Sequence, residues 1–314
     1  MSTWYEDIDE WASGFGHSEI EWKAQVPQVP SPSWWASDSL LYKGQSADHG
    51  TVLLKRLTRH AWSWRNRDNL MAAATKAGEI GVGPRVLAAD SELGLLLMED
   101  LGPRWKVGRL DVFQDETIRQ SIRAAREAFA DSGQVLSQRS PLIELNHLVD
   151  ECRDYGVSLD KRIINLLELV NEFKAPLLEY RSQRRFYPSQ GEGTVSNFMI
   201  GPGGQVKLVG WSSAAMLSKV HDSATLVAEA CPGALELDDY VRELLPDADA
   251  TDRAVLKLVA GIEHLRWAVL THLRAVLDPD VNLDSIKYGL WRMTLAELLF
   301  NEDATRRELK GELL

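Results

Sequence analysis

The chain has 314 residues, 45% of them apolar and 26% charged, and its 35 Lys plus Arg against 46 Asp plus Glu give a net charge of −11. That length suits two domains or one large two-lobed fold, and it buries a full core without disulfides or a structural metal. The composition excludes wholesale disorder, and the negative charge argues against non-specific nucleic-acid binding, leaving room only for a local basic patch on a phosphate.

Taken in chain order, Thr3-Trp4-Tyr5-Glu6 has the form of a capping box opening a short amphipathic helix with Ile8 and Trp11 on its apolar side. The stretch 26–33, VPQVPSPS, holds three prolines and reads as an extended connector. Leu40–Tyr42 and Thr51–Leu54 read as strands joined by the loop 43–50. An alanine-rich helix over 66–79 ends at the GVGP turn of 81–84. Two more short strands follow, Arg85–Ala89 and Gly94–Met98. Beyond Val112 the pattern turns helical over 115–137, 140–154 and 158–179, and again from 222 to the end. Only 194–211 interrupts it with strand character. Cys152 and Cys231 form no CxxC pair, so neither a disulfide framework nor a zinc site is implied. No stretch reads as a signal peptide or a membrane span, and a soluble cytoplasmic protein with no membrane or nucleic-acid partner is expected.

The interruption carries the functional signal. Gln190-Gly191-Glu192-Gly193-Thr194-Val195-Ser196-Asn197 leads into an apolar strand, a GPGG turn, and Val206-Lys207-Leu208-Val209-Gly210-Trp211. This resembles the catalytic segment of the aminoglycoside phosphotransferase and choline kinase family, in which an H-G-D acid precedes an Asn by five residues and an I-D-W strand follows the turn. Asp222 stands twelve residues past Gly210, where the family carries a further Asp. Lys55, in Leu53-Leu54-Lys55-Arg56, matches the strand lysine that holds the ATP phosphates. Glu99, Asp100 and Leu101 match the hinge whose backbone meets adenine. The resemblance covers roughly 35–230. It implies an α+β, two-lobed protein-kinase-like fold, with a β-rich half over 1–100 and a helical half over 101–314. The cofactors it implies are ATP and Mg²⁺, with Glu192 as the base and Asn197 as a metal ligand.

The departures from that pattern fall in the metal machinery. Gly210 stands where the family places a second metal-binding Asp, Gln190 replaces the loop-bracing His, and Glu192 is one methylene longer than the family acid. No glutamate stands at 66–70 to pair with Lys55, and Asp68 is the nearest substitute. Losing a carboxylate that touches the metal costs several kcal/mol of transition-state stabilisation, each ~1.4 kcal/mol being tenfold in rate. Three readings follow: a catalytically impaired kinase fold that binds a nucleotide, a small amine or hydroxyl ligand, or a protein partner; an active ATP-dependent phosphotransferase using Glu192 and Asn197; and a kinase fold running another nucleotide transfer. Trp267 and Trp291 are candidates for a cation–π acceptor site, with core packing the alternative.

Overall fold

The computed structural model describes residues 2–17, 20–26, 39–58, 66–231, 233–277 and 284–314. The proline-rich connector, apart from Val26, and the capping-box side chains lie outside what it describes. In chain order the first elements are α1 (Ser2–Gly14), β1 (Ile20–Val26), β2 (Ser39–Ser46), β3 (Gly50–Leu57), α2 (Arg67–Glu79), β4 (Val86–Asp90), β5 (Leu95–Glu99) and β6 (Lys106–Val107). Then come α3 (Glu116–Ala130), α4 (Pro141–Asp154), α5 (Lys161–Glu172), α6 (Lys174–Ser182), β7 (Tyr187–Ser189), β8 (Phe198–Ile200), β9 (Val206–Leu208) and β10 (Ala215–Leu217). The C-terminal run is helical: α7 (Lys219–Ala230), α8 (Leu237–Leu244), α9 (Ala250–Leu277), α10 (Ser285–Asn301) and α11 (Asp303–Leu313).

The chain divides into two compact units. The first comprises Met1–Arg109, Thr117–Leu136 and Val195–Ala214. Its main sheet has the order β1-β2-β3-β5-β4, antiparallel throughout. Side chains alternate across a strand, so Val52 and Leu54 of β3 enter the core while Leu53 and Lys55 face the other way. Ile8 and Ala12 of α1 join that core with Ile20, Tyr42, Ala88, Leu95 and Leu97, and Trp11 packs against it. The β8–β9 hairpin turns through the expected GPGG loop in the register Phe198↔Leu208.

The second unit comprises Leu110–Glu116, Ser137–Thr194 and Ala215–Leu314. It is built on α9, whose 28 residues are buried nearly all round, including Lys257, Glu263, His264 and Arg266. Formal charges are tolerated in a core only when paired. The Lys257 ammonium accordingly meets Asp238 at 2.7 Å and Glu308 at 2.6 Å. No helix among the described residues is long and apolar enough to cross a membrane.

Candidate functional site

Most of the sequence-predicted site residues fall in the first unit. Lys55 is paired in register with Leu96 of β5, and its Nζ donates to Ser212 Oγ at 3.4 Å. The α2 N-cap is Asn66, whose side chain accepts from Asn69 N–H. That phase turns Asp68 to solvent and buries Asn69, whose Nδ2 donates to the Ala214 carbonyl at 3.0 Å. Asp68 is therefore not the inward residue of this helix turn, and a neutral amide takes its place.

The hinge is held by its own side chains. Glu99 N–H donates to the Arg85 carbonyl and Glu99 Oε1 accepts from Arg85 N–H. Asp100 N–H donates to the Thr51 carbonyl, while the Asp100 carboxylate accepts from Gly102 N–H and pairs with Lys43. Leu101 N–H has no partner among the described residues. Of the three hinge residues, Leu101 is thus the one whose backbone donor remains open to a ligand. The loop expected over 43–50 is mostly strand, since β2 runs to Ser46 and β3 begins at Gly50. His49, in the turn that remains, donates to His17 Nδ1 and accepts from Arg85, in a chain that ends with His17 Nε2 on the Leu87 carbonyl.

Gly210 and Asn197 define the centre of the site. Gly210 has φ +73°, and a Cβ built there would lie 2.0 Å from Asn197 Oδ1 and 2.3 Å from its Cγ. The Asn197 amide is seated directly over the glycine, in the volume that any side chain at 210 would need. Trp211 fixes the neighbouring chain, buried with its ring 4.5 Å from that of Phe129. These residues do not fit a magnesium ion well. Mg²⁺ is held through one or two carboxylates in near-octahedral geometry, whereas here the carboxylate is missing and the one amide oxygen is turned onto a backbone carbon. Among the described residues no three or more His, Cys, Asp or Glu gather as a metal-holding group.

In the second unit Glu192 is buried and accepts from Thr194 Oγ1 at 2.9 Å. It stands between two glycines with separate jobs. Gly191 sits at φ +72°, and Gly193 lets the loop press on α7, where a Cβ would lie 2.1 Å from the Thr225 carbonyl oxygen. Asp222 is in the first turn of the same helix. The cations nearest Glu192 along the chain, Arg184 and Arg185, are engaged elsewhere: Arg184 pairs with Asp252 and stacks on Tyr180, and Arg185 lies over Tyr187.

A buried ring of charges that the motif gave no hint of holds the loop. Arg139 Nη1 donates to the Gly191 carbonyl at 2.9 Å, its Nη2 donates to Glu263 at 2.8 Å, and its Nε pairs with Glu144. Arg266 closes the ring, bonding Glu263 at 2.9 Å and Glu144 at 3.3 Å. Burial alone would lower the pKa of Arg139, but Glu144 and Glu263 more than offset this, and its guanidinium is held charged. Burial would also raise the Glu263 carboxyl, and Arg139 and Arg266 outweigh it, so its pKa lies below the usual range. The one signal in the sequence is Glu263 and Arg266, three apart on one face of a long helix whose central stretch is mostly apolar. Trp267 does not form a cation cage. The Arg266 guanidinium lies 4.9 Å from its ring and Tyr288 packs edge-on, while Trp291 is largely exposed.

No family model and no curated protein matches the chain. Solved structures match it over nearly its full length. A choline/ethanolamine kinase family protein from Mesorhizobium loti is 16% identical, aligned over 97% of this chain and 98% of its own, with a TM-score of 0.72. The choline kinase LicA from Streptococcus pneumoniae is 14% identical over 96% and 99%, with a TM-score of 0.71, and has also been solved with AMP. Aminoglycoside 2'-phosphotransferase-IIIa, solved as its GDP complex, is 11% identical over 95% and 99%, with a TM-score of 0.59. The fold is the two-lobed protein-kinase-like fold. In this chain Lys55 lies on β3, residues 99–101 lie at the end of β5 and just after it, the hairpin is β8–β9, and the residues at 69, 190 and 210 are neutral.

Proposed function

We propose that the chain is a member of the choline kinase and aminoglycoside phosphotransferase family that binds a nucleotide and has lost efficient phosphotransfer, acting through binding of a small ligand or a protein partner. The observation that carries this reading is the Asn197 amide seated over Gly210. Phosphoryl transfer is mostly positioning and charge neutralisation, and this arrangement supplies neither the bridging carboxylate nor a free amide oxygen beside it. Retention of Lys55 on its strand and of an open Leu101 N–H supports the nucleotide half of the proposal. LicA, which shares the fold, has been captured with AMP.

The test pairs two measurements on the full chain. With ATP, Mg²⁺ and a panel of choline, ethanolamine and aminoglycosides, release of ADP is expected to stay at the protein-free background. In a thermal melt, nucleotide at about 100 times its Kd adds roughly 2.7 kcal/mol and moves the midpoint by several degrees. Turnover on any acceptor overturns the impaired-catalysis part. Absence of a shift with every nucleotide overturns the binding part.

A further inference from the structure

We infer that the His17–His49 pair is a proton-sensitive latch on α1. With both rings neutral it ties the exit of that helix to the turn between β2 and β3 and to Arg85, and one added proton opens it. Every ring nitrogen of the pair is engaged. His17 Nε2 lies 3.0 Å from the Leu87 carbonyl oxygen, His17 Nδ1 lies 3.0 Å from His49 Nε2, and His49 Nδ1 lies 3.1 Å from Arg85 Nη2. The rings meet edge to face, their centroids 4.8 Å apart.

The two ends of this chain of bonds fix each proton in it. A carbonyl oxygen only accepts and a guanidinium only donates. His17 Nε2 therefore carries the proton given to Leu87, which leaves His17 Nδ1 bare to accept from His49 Nε2–H. His49 Nδ1 is bare in turn and accepts from Arg85. Both rings are neutral in this arrangement, and a further proton finds no seat that keeps every bond. On His17 Nδ1 it faces His49 Nε2–H, donor against donor. Moving the His49 proton from Nε2 to Nδ1 restores the bond between the rings, but Nδ1–H then points at the Arg85 guanidinium, beside a second positive charge. In either case one link opens. Histidine is the side chain whose charge ordinarily changes between about pH 5 and 8, and protonation of clustered histidines shifts packed elements in this way.

Both ends of the latch are anchored. His17 N–H donates to the Ala12 carbonyl at the end of α1, the helix that places Ile8 and Ala12 in the core. Arg85 is held to β5 through its backbone N–H and carbonyl, both bonded to Glu99. The acidic groups described on the elements around the pair are Asp9 and Glu10 of α1, Glu21 of β1, Asp48 of the turn, Asp90 of β4 and Glu99 of β5. Asp9 accepts from Trp22 Nε1, and Asp90 accepts from Trp11 Nε1 and from Leu93 N–H. These carboxylates are the competing source of acid sensitivity at α1.

Hydrogen exchange on the full chain separates the two sources. It is read by mass spectrometry over residues 8–17 and corrected for the intrinsic effect of pH on exchange. Protection is expected to fall at least about fivefold between about pH 8 and pH 5.5, the loss of one partly exposed bond. Arg85→Met removes the donor at the far end, so the rings hold the extra proton with their mutual bond intact. Its protection is expected to change less than about twofold over the same range. Unchanged protection in the unaltered chain overturns the inference. An equal fall in both proteins also overturns it and assigns the acid response to the carboxylates. Nitrogen-15 NMR of the imidazoles supplies a second measurement on the unaltered chain. At about pH 8 both rings are expected with Nδ1 bare and Nε2 protonated. The opposite tautomer at either ring overturns the proton assignment, and the latch with it.

Discussion

At Gly193 the absence of one carbon decides the path of the loop. A Cβ there would lie 2.1 Å from the Thr225 carbonyl oxygen and 2.4 Å from its carbon, both backbone atoms of α7 that cannot rotate aside. Gly193→Ala is expected to cost about 3 kcal/mol or more by overpacking, read as a lower denaturant midpoint at unchanged slope. The missing carboxylate at 210 is legible as soon as the motif is aligned. The seat taken by Asn197 is not, because the amide's orientation depends on a glycine thirteen residues later across the β8–β9 hairpin. Likewise the choice between Asp68 and Asn69 turns on the helix phase set by the Asn66 cap, a bond between neighbours that residue types alone do not specify.

At the scale of elements, α4, α9 and the loop 190–194 are locked by the Arg139–Glu144–Arg266–Glu263 ring. Removing one member of a buried pair leaves the other charge uncompensated, which costs about 3–5 kcal/mol. Arg139→Met is expected to fall in that range in chemical denaturation. Joint replacement of all four residues by apolar side chains is expected to cost much less, since replacing a buried ion pair by well-packed apolar groups is often neutral. The long amphipathic or buried elements are readable from periodicity: α1, α2, α4 and the hairpin stand where their patterns put them. The exceptions have local causes. The expected 158–179 helix is two, α5 and α6, because Pro176 has no N–H to give the Glu172 carbonyl and the chain breaks at Phe173. β1, which is not among the strands expected above, alternates apolar Ile20, Trp22, Ala24 and Val26 with polar Glu21, Lys23 and Gln25, so its period is legible. The three-residue strands β7 and β10 pair across a long stretch of chain and leave no local trace.

At the scale of the whole molecule, groups buried in the helical unit, His221 and Glu263 among them, contribute to acid sensitivity. His221 is buried with neither ring nitrogen hydrogen-bonded among the described residues, and burial, aided by Arg181 and Arg139 and opposed by Glu263, pushes its pKa down to about 4. An unfolded chain protonates this ring near pH 6.5, so between about 6.5 and 4 the unfolded state binds more protons and stability falls as the pH falls. The expected loss at this one residue is about 3 kcal/mol, and Glu263, with its pKa lowered, adds a further loss at more acid pH. His221→Leu is expected to flatten the stability profile between about pH 6.5 and 4 while leaving stability near pH 7 unchanged or slightly raised. An unaltered slope in urea titrations across that range would assign the acid sensitivity to other groups. The same helices carry a timing constraint. Arg139 and Glu263 are 124 residues apart, and at roughly 5–20 residues per second a ribosome takes on the order of ten seconds to deliver the second after the first. Until α9 emerges, Arg139 has no Glu263 to hold it against the Gly191 carbonyl, so the loop that names the fold is among the last parts of the newborn chain to acquire its shape.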